Sequence, residues 1–371
     1  MLRRSEIVRF IQLNSCLSFG DAITHHTLEI DKTLRNWGFE TKIFANVIDK
    51  SFGDYNHNLP DNLEIDSHYK NYLKNDEDIL LFHYSVYCDN IKFYKESKNK
   101  KIFEYHNITP SGYFKGYDDY TEKICLMGRQ ELLNLTDCNV AISDSEYSQR
   151  ELWEYSFDKF KTEVLPIFTS FERFEEVNIN ENLFNKYNDG YINILFVGRI
   201  VPNKKIEDII KCFYYYHDGI NCKSRLFLVG PLYLEKYNTE LNNLINRLDL
   251  GKSVVFTNRV SLSDLKTYYR LSDAFISMSE HEGFCVPLLE SMYFKLPIIA
   301  YNSTAIPFTL DKSGLLINSK KYEEIAELIN LITEDSKIRD QVIKKEGERL
   351  QDFNPDKTKN KLKHIIERVI S

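Results

Sequence analysis

At 371 residues the chain is longer than one hydrophobic core normally serves, so two domains are expected. A hydrophobic share of 43% with mixed charge excludes a disordered chain, and no run reaches the roughly eighteen apolar residues that cross a bilayer. The net charge of −7 argues against nucleic acid as a partner.

The first ten residues, Met1 to Phe10, carry charges but no continuous apolar core, unlike a secretory signal. Ile7-Val-Arg-Phe-Ile-Gln-Leu13 reads as a strand. A loop from Asn14 to Asp21 follows, holding Gly20, and then a helix over Ala22 to Trp37 and a second strand at Glu40 to Ala45. Strand, loop, helix, strand opens a parallel sheet. Ile79-Leu-Leu-Phe-His83 and Ile102-Phe-Glu-Tyr-His106 are apolar runs ending on histidines. Ligands of parallel sheets collect at the carboxyl ends of strands, so each histidine is either a hydrogen-bonded strand-end residue or a ligand contact. Lys92, Lys95, Lys98, Lys100 and Lys101 offer a patch for anionic lipid, although a solvated helix face is the plainer reading. Val140 to Ser145 is a strand leading into a helix over Glu146 to Tyr155, capped by Ser145 or Asp144. Glu163 to Phe168 reads as a last strand, and the polar stretch Glu175 to Gly190 as an interdomain linker.

A second series begins at Ile192-Asn-Ile-Leu-Phe-Val-Gly198-Arg199, with Lys204 and Lys205 just beyond. Arginine grips two phosphate oxygens at once and lysine adds a mobile charge, so the pair suits a diphosphate. Leu226-Phe-Leu-Val-Gly230 is a strand, a helix is expected over Glu240 to Leu248, and Val254 to Val260 is a further strand and loop. Ser272 to Met278 is a strand, followed by Ser279-Glu-His-Glu282-Gly283-Phe284-Cys285-Val286-Pro-Leu-Leu-Glu290. Pro287 starts a helix running to Phe294. A glycine turn into a helix aims free amides and a positive dipole at one spot, and Glu282 and Glu290 accept bonds from hydroxyls. A sugar nucleotide has both features. Leu296 to Tyr301 is a strand, Asn302-Ser-Thr-Ala-Ile-Pro-Phe308 its loop, and the last helix, from Asn354-Pro355, is amphipathic. The seven cysteines are odd in number and lack C-x-x-C spacing, which fits reduced thiols in a cytoplasm and suggests neither structural zinc nor disulfides.

The segment E-G-F-x-x-P-x-x-E resembles the E-x7-E signature of the retaining GT-B glycosyltransferases of family 4 (glycosyl transferases group 1). V-G-R with Lys204 resembles that family's V-G-R-L-x-x-x-K-G, with Lys205 where glycine is usual. Asn258 also stands where the family often has glycine. The family's G-G-x-P-E is met here by Thr304-Ala-Ile-Pro-Phe308, so its glutamate is replaced by Phe308.

The resemblance implies an α/β GT-B fold, two Rossmann-like domains with parallel sheets facing a central cleft. Residues 1–170 would form the acceptor-binding domain, 171–190 a linker, 191–352 the nucleotide-sugar domain, and 353–371 a helix crossing back. It implies a retaining hexosyltransferase using GDP-mannose or a UDP-hexose and a glycan or lipid-linked acceptor in surface polysaccharide synthesis. Such an enzyme works in the cytoplasm, at the inner face of the membrane. Arg199 and Lys204 would stabilise the departing diphosphate, and Glu282 with the amides of Gly283, Phe284, Cys285 and Val286 would hold the sugar. Glu290 would hold the ribose, Gly230 and Val260 would lie at the base, Gly20 at the donor phosphates or the acceptor, and His106 at the transferred sugar. No metal or other cofactor is expected, in line with the lack of a D-x-D motif in a suitable loop. Two readings share the fold: a sugar-nucleotide epimerase and a catalytically inactive sugar-nucleotide-binding partner subunit. An unrelated two-domain binding protein is the reading outside it.

Overall fold

The computed structural model describes residues 8–18, 20–49, 63–65 and 74–370. The chain divides into two units, one built from residues up to 112, 120–169 and 353 onward, the other from 113–119 and 170–352. Among the described residues the first unit contains β1 (Arg9–Leu17), α1 (Ala22–Asn36), β2 (Glu40–Ile48), β3 (Leu63–Ile65), β4 (Ile79–Tyr84), α2 (Asn90–Glu96), β5 (Lys100–Tyr105), α3 (Asp119–Glu131), β6 (Val140–Ser143), α4 (Glu146–Glu154) and β7 (Thr162–Val164). The strands run parallel in the order β3-β2-β1-β4-β5-β6-β7. β4 and β6 are buried along their whole length, which is why they read as unbroken apolar runs rather than alternating ones.

β1 pairs with β2 through Cys16 and Leu17, so the first turn is shorter than expected and begins only at Ser18. Asp21 caps α1, its carboxylate accepting from the Thr24 amide at 2.9 Å. Ser145, rather than Asp144, caps α4. The lysines 92 to 101 do not form one patch: Lys101 is buried within β5 and donates to Asp137, while Lys95 pairs with Glu131.

The second unit holds α5 (Glu172–Glu175), α6 (Glu181–Tyr187), β8 (Ile192–Val197), α7 (Ile206–Gly219), β9 (Ser224–Val229), α8 (Glu235–Arg247), β10 (Val254–Asn258), α9 (Leu262–Leu271), β11 (Ala274–Ser277), α10 (Val286–Tyr293), β12 (Ile298–Tyr301), α11 (Ile306–Leu310), β13 (Leu315–Ile317), α12 (Tyr322–Glu334) and α13 (Ser336–Leu350). Its parallel order is β10-β9-β8-β11-β12-β13. The stretch 171–190, expected as a linker, is folded into this unit. Lys266 donates to the carbonyls of Phe174 and Val177, and Asn180 both caps α6 and donates to Asp264 at 2.7 Å. α8 starts at Glu235, five residues before the expected Glu240.

α14 (Pro355–Ile370) belongs to the first unit. Its apolar stripe, Leu362, Ile365, Ile366 and Val369, is buried against Phe10, Ile30, Ile79 and Ile102.

α13 is tied to β12 by Glu346, whose Oε1 accepts from the Ile298 amide at 2.9 Å. Burial pushes this carboxyl up to about 8, outweighing the Ile298 bond and the charge of Arg339. Between the ordinary glutamate range and about pH 8 the folded chain therefore holds a proton that the unfolded chain has lost. Stability from this site must fall as pH rises through that window and level off above it. Glu346→Gln keeps an acceptor for Ile298 and should flatten the decline, as read by melting temperatures from about pH 5 to about pH 9. An unchanged slope would remove Glu346 as its source.

Candidate functional site

In each sheet the strand order reverses once, between β1 and β4 and between β8 and β11. Loops leaving neighbouring strands at such a point diverge, and a crevice opens outside the carboxyl ends. In the second unit the diverging loops are 198–205, after β8, and 278–285, after β11. They carry Arg199, Lys204, Glu282, Gly283, Phe284 and Cys285, so folding brings together residues some eighty positions apart.

The two loops are stitched to each other. The Glu280 amide donates to the Asn203 carbonyl at 2.9 Å, and the Asn203 side-chain amide donates to the His281 carbonyl at 3.0 Å. Lys204 Nζ donates to Glu282 Oε2 at 2.5 Å, both side chains being largely buried. Glu282 is fixed from behind by its own amide, which donates to Thr304 Oγ1 at 2.8 Å. Arg199 is exposed and has no hydrogen-bonding or ionic partner among the described residues.

Cys285 sits at φ 73° and caps α10, with Pro287 in the first turn. The first-turn amides of α10 have no intrahelical acceptor and carry the positive end of its dipole. Burial, reinforced by Glu282, drives the Cys285 thiol well above its usual value, so it is no thiolate nucleophile. The Phe284 carbonyl accepts from Thr309 Oγ1 at 2.6 Å, and Phe284 and Val286 flank the cap. Glu290, one helix turn further in, is buried between Arg173 and Tyr269, whose hydroxyl donates to Oε2 at 2.7 Å. Burial, with Glu290 beside it, pushes the Tyr269 hydroxyl well up, so it keeps the proton it donates. Arg173 and Tyr269 were not anticipated from the sequence, because Arg173 lay in the presumed linker and Tyr269 in an unremarkable helix.

Three positions where glycine was expected lie in left-handed backbone: Lys205 at φ 53°, Asn258 at φ 60° and Thr304 at φ 45°. That conformation is the physical reason glycine suits them. Gly230 pairs with Asn258 and lies against the Gly198 turn, and Val260 directly precedes Ser261, the cap of α9.

In the first unit, Gly20 is exposed at φ 76° just before α1. His106 follows β5, but its ring is wholly buried: Nδ1 meets Asp144 at 2.9 Å and Nε2 meets His83 Nδ1 at 3.0 Å. As it lies, the ring has no free nitrogen for a sugar, in contrast to the expected role. Burial opposes its charge, but Asp144 and Glu104 together hold its pKa at about 9. His83 is driven down to about 4, chiefly by burial. Glu104, at the centre, stays ionised: burial disfavours its charge, but His26, His83 and His106 outweigh it.

Residues 179–349 match the family model described as Glycosyl transferases group 1. Among curated proteins, the alpha-monoglucosyldiacylglycerol synthase of Streptococcus pneumoniae is 26% identical over 52% of this chain and 45% of its own length. The O-antigen chain mannosyltransferase RfbU of Salmonella typhimurium is 26% identical over 44% of this chain and 42% of its own. The matches thus span less than half the length of these two relatives. The Anabaena Alr3699/HepE structure in complex with UDP and glucose superimposes with TM-score 0.77 at 14% identity, covering 97% of this chain and 99% of that one. The chain has the GT-B fold. Within this GT-B chain the matched segment contains the loops after β8 and β11, Glu290 and its partner Tyr269. No helix among its described residues is long and apolar enough to cross a membrane.

The close approach of Gly230 to Gly198 yields a sharp prediction. A Cβ at Gly230 would stand 1.9 Å from the Gly198 carbonyl oxygen, on a backbone at φ 148°. Gly230→Ala should therefore destabilise the second unit severely, by about 4 kcal/mol or more. Gly347→Ala, inside α13 with nothing within 4 Å, should stabilise by up to about 1 kcal/mol. Thermal or urea unfolding of the two variants checks both signs.

Proposed function

We propose that the protein is a retaining glycosyltransferase that moves a hexose from a nucleotide diphosphate sugar to a glycan or lipid-linked acceptor. The observation that carries this reading is the joining of the loops after β8 and β11 at the strand-order reversal. It sets Arg199, Lys204, Glu282 and the α10 amides on one rim of the sheet. Cations and helix-end amides suit a diphosphate, and a carboxylate suits sugar hydroxyls. The Anabaena structure with UDP and glucose, and relatives named as glucosyl- and mannosyl-transferring proteins, support a hexose donor.

In the reaction, charge builds on the departing diphosphate as the glycosidic bond lengthens. Arg199 and Lys204 stabilise that charge more in the transition state than in the ground state, and this difference is what accelerates departure. No metal is assigned to this step, because the two cations and the amides supply the positive charge. Glu282 and the amides of Gly283 to Val286 orient the sugar. A carboxylate has about four lone-pair directions, so Glu290 keeps acceptors for the ribose beyond those used by Arg173 and Tyr269. Gly230 and the backbone near Val260 lie at the base. His106 orders the first unit rather than touching the sugar. The acceptor is a surface glycan or its lipid carrier, met at the cytoplasmic face of the membrane.

The test is melting with UDP, GDP and ADP in turn, without and then with magnesium, since a ligand of the folded state must raise its stability. One nucleotide should raise the melting temperature without magnesium, and Arg199→Ala should abolish the shift. No shift with any of them at about millimolar concentration would overturn the donor site. With the donor so named, Lys204→Ala should lower turnover about 10²–10³-fold, the usual loss on removing one charge-stabilising group. Proton NMR of the first product should show the donor's anomeric configuration, and inversion would discard retention. Nucleotide stabilisation without any transfer would make the chain a donor-binding partner subunit.

A further inference from the structure

We propose that the first unit holds a divalent transition-metal ion between His83 Nδ1, His106 Nε2 and Glu104 Oε2. The three residues come from β4, β5 and the turn after β5, and all are buried. This site is independent of the donor-handling loops.

The hydrogen bonds around the cluster assign each tautomer. The Phe168 amide donates to His26 Nδ1 at 2.9 Å, so His26 carries its proton on Nε2 and donates it to Glu104 Oε1 at 2.7 Å. Gln12 donates its side-chain N–H to the Thr27 carbonyl at 3.3 Å, which leaves Gln12 Oε1 to accept from His83 Nε2 at 2.8 Å. His106 donates from Nδ1 to Asp144 at 2.9 Å. With His106 singly protonated, as metal ligation requires, each outer bond leaves a lone pair on the inner atom. His83 Nδ1, His106 Nε2 and Glu104 Oε2 therefore present three lone pairs to one another.

They converge closely. His83 Nδ1 lies 2.7 Å from Glu104 Oε2 and 3.0 Å from His106 Nε2, and the third edge is 3.7 Å. Yet Glu104 Oε2 has no hydrogen-bond partner in acceptable alignment. A proton on His106 Nε2 satisfies the His83 lone pair, but then Glu104 Oε2 faces that same occupied lone pair. One cation at the centre serves all three atoms. The three edges bracket the ~3.4 Å edge of a tetrahedron whose bonds are about 2.1 Å, the zinc–nitrogen and zinc–oxygen length. Two imidazoles and one carboxylate suit zinc and its first-row neighbours rather than magnesium or calcium.

The surroundings are those of a metal site. Each ligand's distal atom is held by a partner of fixed polarity: Gln12 on His83, the Asp144 carboxylate on His106, His26 on Glu104. Such outer bonds orient the ring and raise ligand basicity, and their removal typically costs 10–100-fold in affinity. The ion would fix β4 and β5 at their carboxyl ends, a structural task, since the ligands are sealed from solvent.

The test uses the full chain. Protein prepared in zinc-supplemented medium and dialysed should keep about one equivalent of zinc by elemental analysis. After unfolding with a chelator and refolding, Zn²⁺ should raise the melting temperature by about 5 °C or more. Refolding with Co²⁺ should give visible d–d bands without the intense thiolate-to-cobalt band that cysteine ligation produces. His83→Asn should lose the equivalent, while His364→Gln, exposed on α14, should keep it. A dialysed wild-type chain free of metal that also ignores Zn²⁺ and Co²⁺ on refolding overturns the proposal and leaves a proton-sharing network. Metal retained in folded His83→Asn, or a thiolate band, overturns it as well. Because the melting shift with nucleotide is read on Arg199 in the other unit, failure here leaves the donor reading standing.

Discussion

The candidate site of the second unit depends on the parting of the chain at β8 and β11. Loops that diverge from adjacent strands have no backbone ladder to hold them, so a few separate bonds must do it. Asn203 bridges them through both its carbonyl and its side-chain amide, and Lys204 closes on Glu282. The ion pair couples two tasks. On the proposed function, a diphosphate that draws Lys204 toward itself weakens the lysine's grip on Glu282. The carboxylate is then freer to accept from sugar hydroxyls. Leaving either charge without a partner in this largely buried place is costly, so the pair is held until another anion competes for the lysine.

The left-handed residues belong to the same economy of loops. Lys205, Asn258, Cys285 and Thr304 all lie at the carboxyl-end rim of one sheet, and each non-glycine residue there costs on the order of 1–3 kcal/mol. Glycine would relieve that cost but could not make the bonds seen. Thr304 gives its hydroxyl oxygen to the Glu282 amide, and Asn258 accepts from the Arg259 amide through Oδ1. Lys205 reaches Glu280 at 3.4 Å. The departures from the family's glycines therefore preserve the turn geometry and add side-chain anchors to it. Phe308 is different. Its carbonyl accepts from Arg349, which any residue could do, and nothing in the structure explains why an aromatic side chain replaces the family's glutamate.

Legibility in the sequence followed the kind of interaction. Strands buried on both faces announce themselves as apolar runs, so the strands at Ile79, Ile102, Val140, Ile192 and Leu226 could be placed to within a residue or two. Local signals also worked, as with Ser145 before α4 and Pro287 opening α10. Tertiary pairing did not show. The polar stretch 171–190 looks like a linker because its helices are short and acidic, and only Asn180, Asp264 and Lys266 together show that it is docked. For the same reason Arg173 and Tyr269 were invisible as partners of Glu290. A single signal did stand in plain view: Glu104, a carboxylate inside Ile102-Phe-Glu-Tyr, is an anomaly in a buried strand.

That anomaly governs the first unit. A carboxylate with no exposure must be matched by positive charge, and the candidates within reach are the three histidines around it. Whether the match is a shared proton or a metal ion, His106 is committed to it from one nitrogen and to Asp144 from the other. Turning the ring toward a substrate would take from Asp144 its histidine partner and from Glu104 one of three nearby histidines in a low-dielectric interior, at a cost of several kcal/mol. A hydrogen bond to a sugar returns only about 1–2 kcal/mol, so the rotation is unfavourable. Asn107, next in the chain at φ 59°, turns the chain sharply away from the buried ring it follows. The turn after β5 is thus held by Asn107, whose side-chain amide donates to Ser148 Oγ and Glu151 Oε2, as well as by the imidazole before it.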